Sequence, residues 1–388
     1  MNDVPGTRTR RQAGATRRRF IGAALLSGAA LAATTGAVSR CAAGEETEGD
    51  GAAGDPVGRF LADAVPDDAG LTAIVVRGDE VVHCGGMGLA DHAAGIGNGC
   101  DTVFDIGSIT KQFTAAAILK LEMAGALSTN DPLGAHVAGL PDDKRAITLH
   151  QLLTHTAGLI DMLGGDYDVL SREDMLAAMG GSELRSAPGS RYHYSNVGYS
   201  VLAAVIEQVS GEGYEQFLSR HLFAPAGMTR TGYVLPRWDE AEIAVEYDGA
   251  GTALGRPNEH PWDRDGPYWN LRGNGGILST APDMHRWHRA LDGDGVLSEA
   301  ARNKLFEPHV REDGGDTFYG YGWVVTERDG RRVVWHNGGN GSSYAEFARL
   351  LDDGLMVFWA TNRVAKDGDW NLEELGLTGG MADSVGPA

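Results

Sequence analysis

An α+β fold is predicted for residues 59–377: one antiparallel sheet assembled from both ends of the chain and flanked by helices, with a large, mainly helical lobe inserted. Three observations predict it. Apolar β-rich runs occur near residues 71–84 and return only after residue 320; the stretch between them carries apolar residues at helical spacing. With 42 % hydrophobic and 22 % charged residues among 388, the chain also has enough apolar material for a substantial core.

The elements follow in order. Residues 1–40 hold seven Arg and one Asp, a net of +6, so the formal charge of −20 leaves −26 on the rest. The basic head reads Thr16-Arg17-Arg18-Arg19-Phe20-Ile21-Gly22 and runs into an Ala/Gly/Leu-rich stretch ending at Val38, which resembles a twin-arginine export signal. Residues 1–43 are therefore expected to be a signal that sends the protein out of the cytoplasm. Cys41 is an alternative lipidation point, although Arg40 stands where a lipoprotein signal carries Gly or Ala. Membrane contact is expected only through that signal or lipid. Residues 44–58 are acidic and Gly-rich and read as a tether; their formal GxGxxG match, Gly49 to Gly54, has no strand before it and is not a nucleotide site.

Leu71–Arg77 and Glu80–Cys84 form a hairpin about Gly78-Asp79. Helices are expected over Gly107–Gly125, with Phe113, Ala117, Leu121 and Ala124 on one buried face, over Val197–Val209 before Ser210-Gly211, and over Ala281–Leu291 with Pro282 in its first turn. Tyr321–Thr326, Arg332–His336, Tyr344–Leu351 and Leu355–Thr361 are late strands separated by Asp- and Gly-rich turns. Asp369–Leu375 reads as a short last helix and residues 378–388 as a tail. The acidic charge repels phosphate backbones and argues against nucleic-acid binding. Cys84 and Cys100 are either a disulfide of an exported protein or two buried thiols. Twelve histidines form no CxxC- or HExxH-type pattern, so no metal or other cofactor is expected.

Three short motifs carry chemistry. Ser108 and Lys111 lie one helical turn apart, where a desolvated amine can take the proton of a serine hydroxyl, and the helix start offers backbone N–H groups to a developing oxyanion. Tyr194-Ser195-Asn196 supplies a phenol for proton transfer and an amide for substrate and lysine. His336-Asn337-Gly338-Gly339 ends a strand in a glycine turn, with His336 and Gly338 as candidate substrate contacts. Each motif is weak alone, because chance matches are common and a loop tyrosine or a strand histidine is more often packing than chemistry.

Their order, with Val103 to Thr114, Leu152 to Leu159, Tyr194 to Tyr199, Leu222 to Thr229 and Gly275 to Thr280, resembles the serine hydrolases of the penicillin-recognising group. The likeness is especially to the branch with class C β-lactamases, D-alanyl-D-alanine carboxypeptidases, D-aminopeptidases and related esterases. The resemblance spans residues 59–363 and implies a β-lactamase/transpeptidase-like fold. It implies that Ser108 forms an acyl-enzyme while Lys111 and Tyr194 move its proton, that Asn196 orients the substrate, and that the N–H groups of Ser108 and Gly339 make the oxyanion hole. His155 reads as structural, beneath the site.

One departure matters. Where β-lactamases and carboxypeptidases of the group usually carry Lys for a substrate carboxylate, this chain has His336, mostly neutral at pH 7 by its ordinary acidity. The reading is therefore a peptidase or esterase for a small-molecule or peptide substrate, cell-wall peptides included, ahead of a β-lactamase or carboxypeptidase. A non-catalytic module binding cell-wall peptides or β-lactams is the alternative of another class. Arg272 is a candidate replacement for the missing charge, and Trp262, Tyr268 and Trp269 either line the groove or pack the lobe.

Overall fold

The computed structural model describes residues 54–386. The expected export signal, Cys41 and nearly all of the glycine-rich match lie outside them.

The expected hairpin forms. Strands β1 (Leu71–Arg77) and β2 (Glu80–Met87) turn at Gly78, whose φ of 58° suits glycine. Six late strands join them: β3 (Val310–Arg311), β4 (Phe318–Tyr319), β5 (Val324–Arg328), β6 (Arg331–Gly339), β7 (Tyr344–Leu350) and β8 (Leu355–Thr361). The sheet order is β2-β1-β8-β7-β6-β5-β4-β3, so the first strands of the chain pair with the last, Leu71 opposite Thr361 and Arg77 opposite Leu355. The antiparallel sheet built from both chain ends is confirmed.

Both faces of the sheet are covered, so β1, β7 and β8 are buried almost throughout: β1 and β8 are mainly apolar, while β7 also buries Glu346 and Arg349. On one face Ile74, Val76, Val334, Phe347, Met356 and Phe358 join the core of the helical lobe. That lobe contains α2 (Thr110–Met123), α3 (Asn196–Ser210) and α4 (Ala281–Ala290). On the other face Ala73, Val75, Val357 and Trp359 pack under α1 (Pro56–Ala64) and α5 (Leu377–Val385).

Three expectations are corrected. The ordered domain starts before residue 59, because Asp55 caps α1 through Gly58 N–H at 2.8 Å and Val57 is fully buried. Residues 378–388 are not simply a tail: Leu377, Met381 and Ala382 of α5 sit in the core, whereas Asp369–Leu375 holds only a two-residue strand and a 3-10 turn. Finally, α2 is buried all round from Thr110 to Leu119, not on one face, because sheet and lobe enclose it. Phe113, for example, meets Phe223 and Trp287 edge-on at 5.0 Å each.

Cys84 and Cys100 are bonded, with Cα atoms 5.4 Å apart, within the range that a bridge requires. Among the described residues no helix is long and apolar enough to cross a membrane, and no cluster of His, Cys, Asp or Glu is arranged to hold a metal.

Candidate active site

Ser108 does not sit in the helix proper. It occupies a 3-10 turn, Gly107–Ile109, that leads into α2. The turn is pressed against β6: a Cβ on Gly107, whose φ is 50°, would stand 2.5 Å from Gly339 N. A side chain at Gly107, or at Gly338 on the facing strand, would push nucleophile and strand apart. Asp105 ties the turn from within, its Oδ1 accepting Gly107 N–H at 2.7 Å.

One turn on, the fully buried Lys111 reaches back. Its Nζ donates to Ser108 Oγ at 2.9 Å, to Asn196 Oδ1 at 2.7 Å and to the backbone oxygen of Asn274 at 2.7 Å. The same nitrogen lies 4.9 Å from the centre of the Tyr194 ring. Serine, lysine, tyrosine and asparagine, drawn from segments 85 residues apart, therefore meet as expected.

Local structure explains how the second motif arrives there. Ser195 caps α3, its Oγ accepting Gly198 N–H at 3.0 Å and donating to Ile160 O at 2.7 Å, which places Asn196 in the first turn. The Asn196 Nδ2 donates to Asp161 Oδ1 at 3.0 Å, so its amide orientation is set: oxygen to the lysine, one N–H to Asp161, the other toward the cavity. His155 grips this segment from below. Its Nδ1 accepts Ser195 N–H at 3.0 Å, its carbonyl accepts His193 N–H at 2.7 Å, and its ring is 4.2 Å from that of Tyr194. The structural reading of His155 holds.

The third motif is only partly where it was expected. His336 lies on the sheet face that meets the helical lobe, but it is 0 % exposed. Nδ1 is 2.6 Å from the Asn337 carbonyl and must donate to it, so Nε2 accepts the Tyr319 hydroxyl at 3.0 Å. The ring centre is 6.5 Å from that of Tyr194, behind the site and off the cavity wall. Gly338 is also buried; a Cβ there would strike Ile106 O and Ser108 N. Gly338 thus backs the nucleophile's turn, and His336, two residues earlier on the same strand face, packs against Tyr319 and Tyr194; neither lines the cavity, which corrects the expectation that they are substrate contacts. Gly339, exposed, does edge the cavity beside Ser108.

That cavity, about 220 Å³, is walled by Ser108, Asn196, Asn274 to Gly276, Gly339, Asn340, Met162, Leu271, Asp105, Asp166 and Tyr167. Arg272 is not on it. The guanidinium is held bidentately by Asp265 at 2.7 and 2.9 Å, with Nε on Pro267 O. Trp262 and Trp269 pack within the lobe.

Several groups escaped sequence reasoning. Asn274 acts through a carbonyl, which has no residue signature. Asp161 is one acid among many. Asp105, 5 % exposed, and Glu246 share Asn340 as a donor, and burial, with the Glu246 charge second, pushes Asp105 up to about 7. Burial also raises Asp166, against the opposing pull of Lys111.

Comparison with known proteins agrees with this fold. The family model described as Beta-lactamase matches residues 61–375. The chain is 35 % identical over 254 residues to the putative penicillin-binding protein PbpX of Bacillus subtilis, covering 66 % of this chain and 61 % of that one. A penicillin-binding protein structure from Bacillus halodurans matches at 28 % identity with a TM-score of 0.68, covering 79 % of this chain and 95 % of the other. The D-amino acid amidase of Ochrobactrum anthropi shares the fold, with a TM-score of 0.72 at 20 % identity, 85 % of this chain and 97 % of that one being covered. With a match over most of its length and a buried lysine bonded to the serine one turn before it, the chain belongs to the beta-lactamase family.

Proposed function

We propose that this is an exported serine hydrolase that cleaves an amide or ester bond through an acyl-Ser108 intermediate, as a peptidase or esterase. The observation that carries the reading is the threefold coordination of Lys111 Nζ. Two of its contacts are carbonyl oxygens, which absorb two N–H bonds; the third direction is the Ser108 hydroxyl. Once it has given up the proton it donates to Ser108, Lys111 keeps its two N–H bonds to those carbonyls and turns its lone pair to the hydroxyl, which then donates to it.

In the acylation step Ser108 Oγ bonds to the substrate carbonyl carbon as its proton passes to Lys111. The carbonyl oxygen takes the negative charge and lies against the N–H groups of Ser108 and Gly339. Collapse breaks the bond to the leaving amine or alcohol, which takes a proton by way of Tyr194. Water then attacks the ester, giving its proton to the same pair and releasing Ser108. Asn196 holds the substrate through its cavity-facing N–H. The Cys84–Cys100 disulfide supports export to an oxidising compartment.

Intact-mass analysis after a fluorophosphonate tests the reading. One adduct is expected, absent in Ser108→Ala; no adduct on the unaltered protein would favour a binding module instead. Turnover of nitrophenyl esters, D-amino-acid amides and nitrocefin separates the activities, and dominant nitrocefin hydrolysis would overturn the peptidase or esterase assignment.

A further inference from the structure

Charge on the cavity wall has one sign. Asp105 and Asp166 are its only ionisable acids or bases apart from Tyr167; no Lys, Arg or His lines it. Neither carboxylate is in an ion pair among the described residues, and Asp166 accepts no hydrogen bond there. More negative charge stands behind them, with Glu246 bonded to Asn340 at 2.7 Å and Asp161 to Asn196 at 3.0 Å.

Among the described residues, the basic side chains nearest the cavity are engaged elsewhere. Lys111 has its three directions filled, Arg272 is clamped by Asp265, and His336 is closed in by Tyr319 and Asn337. His260 stacks on Tyr167 and faces Glu246 at 3.2 Å, so it is bonded to its own acid. A substrate carboxylate entering here would meet two acids and no partner. An ammonium would meet the reverse.

We propose that the cavity selects substrates carrying a cation, such as a free amine, on the acyl side of the scissile bond, with Asp166 as the group that reads the charge and Asp105 behind it. The inference rests on Ser108 being the nucleophile, which fixes where the acyl group lies, and goes beyond it by naming the substrate's charge. Burial raises both carboxyls, and an ammonium held beside them would favour their ionised form. Asp105 also holds the Gly107 turn, so Asp166 is the cleaner one to change.

The test uses three p-nitroanilides of one amino acid, in both D and L forms: free amine, N-acetyl and N-succinyl. The expected order of kcat/KM is cation over neutral over anion. Asp166→Asn is expected to shrink the free-amine to N-acetyl ratio roughly tenfold, mainly through KM, and raising NaCl from 0.05 to 0.5 M to narrow it as well. A merely structural role for Asp166 would lower all three rates together and leave the ratio intact, which would overturn the proposal, as would a preference for the N-succinyl substrate. Absence of a fluorophosphonate adduct at Ser108 would instead overturn the hydrolase reading on which this one stands.

Discussion

Two carbonyls hold Lys111 so that one direction of its nitrogen is left for Ser108, and neither carbonyl acts on substrate directly. Removing the amine removes the proton acceptor, so Lys111→Ala should lower kcat for a nitrophenyl ester by about 10³-fold, measured by initial rates, with Ser108 still present and the fold intact by circular dichroism. The His155 backbone has a φ of 59°, a conformation that Asn tolerates better than most residues, and its ring nitrogen accepts Ser195 N–H. His155→Ala is expected to cost roughly 10- to 100-fold in kcat by loosening Tyr194 and Asn196. His155→Asn should recover part of that loss, since its oxygen can accept the same N–H; equal losses in the two variants would show that ring packing, not the bond, matters. Residues such as Ser108 and Lys111 were legible because three positions along a helix fix their proximity. Asn274 was not, because a backbone carbonyl is set by the Gly273–Gly276 loop's path and has no side-chain signature. His336 was recognised as part of the site, but which way a strand residue faces depends on a register that its sequence does not state.

Strands β1 and β8 were readable as mainly apolar runs, because a sheet covered on both sides needs no polar alternation; β7 was readable in spite of its buried Glu346 and Arg349. Helix α5 was missed for a reason that its own residues give: Gly379-Gly380 interrupts it, at about 1 kcal/mol per glycine relative to alanine. The compensation is tertiary, since a Cβ at Gly380 would run into the Phe60 ring of α1. Beneath these two helices β7 carries Glu346, whose Oε2 accepts the Tyr344 hydroxyl at 3.2 Å. Burial, its largest cause, pushes this carboxyl from 4.5 up to about 7. The unfolded chain ionises near 4.5, so between 4.5 and 7 the folded state keeps a proton that the unfolded state has lost. Stability falls as pH rises through that window, by about 3 kcal/mol from this group when fully above it. Glu346→Gln should therefore raise the urea midpoint at pH 8 and change it little at pH 4. An equal shift at both pH values would mean that the carboxyl ionises freely in the fold.

At the scale of the whole molecule, closing the sheet requires residues near 71 to find residues near 361, with the entire helical lobe formed between them. Such long-range pairing pays its loop entropy before its contacts return any stability, so the elements that clamp the two ends together carry weight beyond their length. On one end α1 lies against β2 and α5; on the other α5 lies against β8, so each helix bridges the early and late parts of the chain. The catalytic groups are on the opposite face, with α2. Ending the chain at residue 376 removes Leu377, Met381 and Ala382 from the core and uncovers Trp359, whose indole N–H also loses its bond to Thr378 at 2.9 Å. Burial of two large apolar side chains at about 2 kcal/mol each, plus the lost hydrogen bond at about 1 kcal/mol, predicts a loss of about 5 kcal/mol. The truncated chain should thus unfold at markedly lower urea, read by tryptophan fluorescence. Its remaining folded molecules should still form the Ser108 adduct at the rate of the full chain, because nothing in α5 touches the nucleophile's turn. A truncated protein of unchanged urea midpoint would show that the early and late strands hold each other without the clamp.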